Sequence, residues 1–121
     1  MNADVRQVID VIDAPIDHVT WHEAVQRLSL WGGGHESRVV CICNVHSVVT
    51  AKQDQDFKRV LNSADMSTPD GAPVAWLIRK TTNQPQERIN GPDLMLKYCE
   101  HAEKIGQSIY LYGGKESTLD T

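Results

Sequence analysis

The stretch Arg38-Val39-Val40-Cys41-Ile42-Cys43 constrains this chain more than any other, because every side chain after the arginine is apolar. A strand that faces water on one side alternates polar and apolar residues, so an unbroken apolar run requires cover on both faces. Parallel sheets layered between helices supply that cover, and the run predicts a central strand of an α/β sheet. It is also far shorter than the roughly 20 apolar residues that span a bilayer.

The neighbouring segments fit the same architecture. Val5 to Ile12 is β-branched and reads as a strand, ended by Asp13-Ala14-Pro15 because proline cannot donate to a ladder. Thr20-Trp21-His22-Glu23 is a capping box, opening a helix to about Trp31. Ala24, Val25, Leu28 and Trp31 form its inner face, and Gly32-Gly33-Gly34 supplies left-handed residues that stop it. Helical spacing resumes through Val48, Val49 and Ala51, then Phe57, Val60, Leu61 and Ala64. A short strand, Asp65 to Ser67, leads to a tight turn at Thr68-Pro69-Asp70-Gly71 and a helix with Val74, Ala75, Leu77 and Ile78 inward. After a polar loop from Thr81 to Glu87, Gly91-Pro92-Asp93 opens a helix that Gly106 closes. Ser108 to Tyr112 is expected to be the last strand. The fold class is therefore α/β, a Rossmann-like parallel sheet with flanking helices. With only the residues from Gly113 to Thr121 after that strand, the sheet is expected to be truncated.

At 121 residues the chain is sized for one core, and its formal charge of −4 offers no overall attraction to phosphate backbones or anionic lipid. With no basic run longer than Arg79-Lys80, nucleic acid is not an expected partner. The start Met1-Asn2-Ala3-Asp4 lacks a charged-then-apolar signal pattern, which gives a cytoplasmic expectation. Cys41, Cys43 and Cys99 form no disulfide framework and read as free thiols behaving as small hydrophobes.

Ligands of open α/β sheets bind outside the carboxyl ends of the strands, here Asn44-Val45-His46, the Thr68 to Gly71 turn and Gly113-Gly114. Asp70 is the candidate proton acceptor: a carboxylate at a helix start, with Gly71 leaving room for a substrate. Its plain alternative is a helix cap. Asn44 could bind a sugar hydroxyl or simply satisfy turn backbone. Arg88 could pair with a diphosphate or remain a solvated surface arginine. Gly113-Gly114 lacks the full glycine fingerprint of nicotinamide and flavin sites. Asp54-Gln55-Asp56 superficially matches a metal-binding acidic pair but falls where a helix would be capped, and His18 with His22 lacks a third zinc ligand.

Four blocks in series, Cys43 to Ser47, Ala64 to Gly71, Glu87 to Met95 and Ile109 to Gly114, resemble the WecG/TagA/CpsF glycosyltransferase family in order and spacing. The resemblance implies an inverting enzyme that moves a sugar such as N-acetylmannosamine from a UDP-sugar donor to a polyprenyl-diphosphate-linked sugar acceptor in bacterial surface-polysaccharide assembly. It implies Asp70 as general base, Arg88 as the cation on the leaving diphosphate and Asn44 in the substrate pocket. Thr68, Gly71, Gly91, Asp93, Gly113 and Gly114 fall in the same blocks as substrate-binding positions, with no metal or cofactor. Residues 1–121 would then be the N-terminal part of one catalytic domain, lacking a C-terminal half with the donor pocket and a peripheral membrane contact. An exposed apolar sheet face would favour homo-oligomers. The chain departs from the family at Ile42, where members often have threonine. The competing reading is a non-catalytic nucleotide- or partner-binding module.

Overall fold

The computed structural model describes residues 6–115; Val5 of the first expected strand and the stretch from Glu116 to Thr121 lie outside the described residues. The chain opens with β1 (Val8–Val11) and β2 (Ala14–Asp17), an antiparallel hairpin in which Val11 pairs with Ala14 and Asp10 with Pro15. Ile12 and Asp13 connect them with φ of 50° and 66°, the primed turn whose twist suits a two-residue hairpin loop. Pro15 therefore does not end the strand region. The pair that closes the loop is hydrogen-bonded and bonded pairs alternate, so Pro15 occupies a position from which the ladder needs no N–H.

Helix α1 (Trp21–Gly33) begins with the expected capping box of Thr20 and Glu23. It does not stop at its first glycine. Gly32 and Gly33 remain helical, and the left-handed residue is His35, with φ of 53°. His35 N–H donates to the Gly32 carbonyl at 3.2 Å and Glu36 N–H to that of Trp31 at 2.9 Å, a Schellman closure with a histidine where glycine is usual.

Strand β3 (Val40–Cys43) follows, then α2 (Val45–Gln53), α3 (Gln55–Ser63), β4 (Met66–Pro69), α4 (Ala72–Thr82) and α5 (Gly91–Ile105). Asp54 separates α2 from α3 by accepting from the N–H groups of Asp56 and Phe57, the capping role expected of it. β3 and β4 are parallel, with Val40 opposite Met66 and Cys43 opposite Pro69. The architecture is α/β, as expected from the apolar run.

The two faces of β3 explain its composition. Cys41 and Cys43 pack into a cluster with Val11, Ile16, Val48, Leu61 and Ile78, whereas Val40 and Ile42 pack against one built from Val19, Ala24, Met66, Ile89 and Leu94. Adjacent side chains thus serve opposite layers of core, and those two apart share one.

Two strand expectations are corrected. β4 runs through Thr68 and Pro69, leaving Asp70 and Gly71 as the turn; positive φ arises only at Gly71, at 107°, where a side chain would be strained. Ser108 to Tyr112 forms no ladder, and Tyr110 and Tyr112 are 87% and 94% exposed. A strand there would need cover on its outer face, which no described element provides. Among the described residues β3 consequently pairs with β4 alone and is not central. No described helix is long and apolar enough to cross a membrane.

Asp17 joins the two sheets. Its carboxylate is fully buried and accepts from Arg27 at 3.0 Å, from the Nε and Nη2 of Arg6 at 3.0 and 2.9 Å, and from the backbone N–H of Ser67 in β4 at 2.8 Å. Arg6 also donates to the Ala64 carbonyl at 3.0 Å. Removing one partner of a buried charge pair leaves the other uncompensated, which typically costs about 3–5 kcal/mol. Asp17→Ala is expected to lower the free energy of unfolding by that order, seen as a lower urea midpoint with little change in slope when unfolding is followed by circular dichroism.

Candidate functional site

Two backbone hydrogen bonds build the carboxyl rim of the parallel pair. The N–H of Asp70 donates to the carbonyl of Cys43 at 2.8 Å, drawing the end of β4 beside the end of β3, where Asn44 follows. The N–H of Ile89 donates to the carbonyl of Pro69, also at 2.8 Å, and the Thr68 hydroxyl donates to the carbonyl of Ile89 at 3.1 Å. Arg88 is thereby held beside Asp70. Asn44, Asp70 and Arg88, far apart in sequence, meet along one edge in their main-chain positions.

Three helices begin at this edge. Asn44 caps α2, Gly71 caps α4 and Asn90 caps α5. Each helix N-terminus carries partial positive charge and unsatisfied N–H groups, so the edge suits an anionic ligand.

The side chains differ in what they have left to offer. Asn44 Oδ1 is committed to its cap, accepting from Ser47 N–H at 2.9 Å and from the Ser47 hydroxyl at 3.1 Å, whereas its Nδ2 has no partner among the described residues. Asp70 is not a helix cap, since Gly71 takes that position with no side-chain hydrogen bond. Neither the Asp70 carboxylate nor the exposed Arg88 guanidinium has a hydrogen-bond or ion-pair partner among the described residues. Thr68 is buried and its hydroxyl anchors the loop. Asp93 accepts from the Asn90 side-chain amide at 2.9 Å and works as part of a cap. Gly91 lies against Ile42, with room for an ordinary contact.

Gly113 and Gly114 are exposed with φ of 109° and 74°, and the space where a Cβ of Gly113 would stand is open. No described contact brings them to the edge. None of five surface cavities of about 250 to 640 Å³ is lined by Asn44, Asp70 or Arg88, although Gly91 lines the one of about 410 Å³.

Residues 9–121 match the model of the glycosyl transferase WecG/TagA/CpsF family. The chain belongs to this family. It is similar to the N-acetylglucosaminyldiphosphoundecaprenol N-acetyl-beta-D-mannosaminyltransferase of Bacillus subtilis (strain 168), 33% identical over 81 residues that make up 67% of this chain and 32% of that protein. The chain thus spans about a third of that relative's length in the aligned region.

For a glycosyltransferase of this family, the informative residues that pattern reading passed over are Arg6, Asp17, Arg27 and Gln86. Arg27 carried a usable signal, lying three residues from Ala24 and four from Trp31 on the inward stripe of α1. Gln86 carried none, standing in a stretch of polar residues. The Ile42 side chain packs against the apolar cluster with Val19 and Met66.

The cysteines are free. Burial pushes the Cys43 thiol up to about 11, whereas Cys99 is exposed. At pH 8 a thiol with that pKa is roughly one part in a thousand thiolate, the reactive form. A disulfide reagent at pH 8 is expected to modify Cys99 promptly and to reach Cys43 only after urea unfolding, read by mass spectrometry. The cap role of Asn44 gives a second expectation: Asn44→Ala lowers stability by about 1 kcal/mol and Asn44→Ser recovers most of it, read from thermal melts.

Proposed function

We propose that this chain supplies the base-bearing part of an inverting glycosyltransferase catalytic domain. The domain transfers a sugar such as N-acetylmannosamine from a UDP-sugar to a polyprenyl-diphosphate-linked acceptor. The name of the Bacillus subtilis relative, which specifies an N-acetyl-beta-D-mannosaminyl group and a diphosphoundecaprenol acceptor, supports this choice of substrates. The observation that carries the reading is the pair of hydrogen bonds from Asp70 to Cys43 and from Ile89 to Pro69, which gathers Asn44, Asp70 and Arg88 on one edge.

In this reading the Asp70 carboxylate accepts the proton of the acceptor hydroxyl as that oxygen attacks the anomeric carbon. The bond from that carbon to the UDP oxygen breaks, and negative charge gathers on the departing diphosphate. Arg88 and the N-termini of α2, α4 and α5 offset that charge. The free Nδ2 of Asn44 is placed to donate to a sugar hydroxyl. Further residues of the family's domain complete the donor pocket and the contact with the membrane surface.

The chain's coverage of only about a third of the relative's length keeps one rival reading in play, a module that binds UDP without turnover. Turnover of UDP-N-acetylmannosamine with a lipid-diphosphate acceptor, measured on the natural gene product, separates the two. Asp70→Asn is expected to reduce kcat by at least about 100-fold while UDP binding, followed by calorimetry, stays within a few-fold of the parent. An unchanged kcat would remove Asp70 from the role of base.

A further inference from the structure

Gln86 is the most fully engaged side chain in the loop between α4 and α5. It is 4% exposed. Its Oε1 accepts from the backbone N–H of Val19 at 3.0 Å, and its Nε2 donates to the carbonyl of Val19 and to that of Glu87, both at 2.8 Å. The side-chain amide thus meets both polar groups of one residue, as a neighbouring strand would. The Val19 bonds fix which end of the amide is oxygen, so the Nδ1 of His18, 3.0 Å from Oε1, is the donor in that contact. All four hydrogen-bonding positions of the amide are filled. The Gln86 carbonyl is held as well, accepting from Arg79 at 2.8 Å.

The next fixed point is Ile89, whose N–H and carbonyl bond to Pro69 and Thr68. Between these two anchors lie only Glu87 and Arg88. A two-residue span between fixed ends has little freedom, so the location of the Arg88 main chain follows from its anchors. Among the described residues the Arg88 side chain makes no hydrogen bond or ion pair that would add to that fixation.

We infer that Gln86 is a positioning residue for sugar transfer: by pairing with the backbone of Val19 it holds Arg88 at the edge beside Asp70. The inference rests on the role proposed above for Arg88. Geometry matters in such a site because a displacement of about 1 Å in a charge-stabilising group can cost on the order of 100-fold in rate.

A double-mutant cycle on the natural gene product, with UDP-N-acetylmannosamine and a lipid-diphosphate acceptor, tests it. Arg88→Ala is expected to lower kcat by about 100-fold. Gln86→Leu is expected to lower kcat by about tenfold with the donor KM changed less than twofold, since the lost interaction belongs to the transition state. In the Arg88→Ala background Gln86→Leu is expected to cause no further loss. A tenfold loss that persists there identifies a general folding role and overturns the inference, as does full activity of Gln86→Leu alone. Should Gln86→Leu fail to fold, Gln86→Glu, which retains the acceptor for Val19 N–H and loses the donor, takes its place under the same criteria. If Arg88→Ala itself matches the parent, the proposed role of Arg88 fails first and the inference falls with it.

Discussion

The carboxylate of Asp17 does between the two sheets what a ladder does within each. β2 and β4 lie against one another without pairing as strands, and the link from Asp17 to the Ser67 N–H is one of the polar connections across that gap. The same group gathers Arg27 from α1 and Arg6 from the segment before β1. A charge this far from water is tolerable only when such partners surround it. The arrangement fixes β4 relative to the hairpin, and β4 in turn carries Pro69 and Asp70 to their place.

From β4 the order passes outward through main-chain contacts. Asp70 is tied to β3 through Cys43, and Ile89 is tied to Pro69. The candidate site is consequently a product of backbone pairing at strand ends, with side chains added to it. This accounts for the openness of Asp70 and Arg88: nothing in the described fold needs their charged groups, which leaves both for a ligand.

Much of this could be read from residues alone where a single local rule decided the outcome. Thr20 with Glu23, Asp54 and Gly106 each express one short-range preference and adopt the predicted structure, and the unbroken run to Cys43 forms a strand packed on both faces, though among the described residues not a central one. The misreadings share a cause, a tertiary partner that no local rule foretells. Pro15 is accommodated because its register places it opposite Asp10. Ser108 to Tyr112 has strand composition but no element among the described residues to cover it. Of the candidate site, Asn44, Asp70 and Arg88 were nominated by the order of the motif blocks, whereas Gln86 was not. Its importance lies in meeting Val19, 67 residues away.

The helix starts at Asn44, Gly71 and Asn90 have a further consequence for the character of the edge. Their positive potential resides in peptide dipoles, which neither titrate nor depend on the identity of most side chains. Acidification that would neutralise carboxylates leaves this contribution in place, and replacing surface residues along α2, α4 or α5 does not erase it. An anion-seeking surface built in this way tolerates sequence drift, so the helices behind it are free to diverge in composition while the polarity of the edge persists.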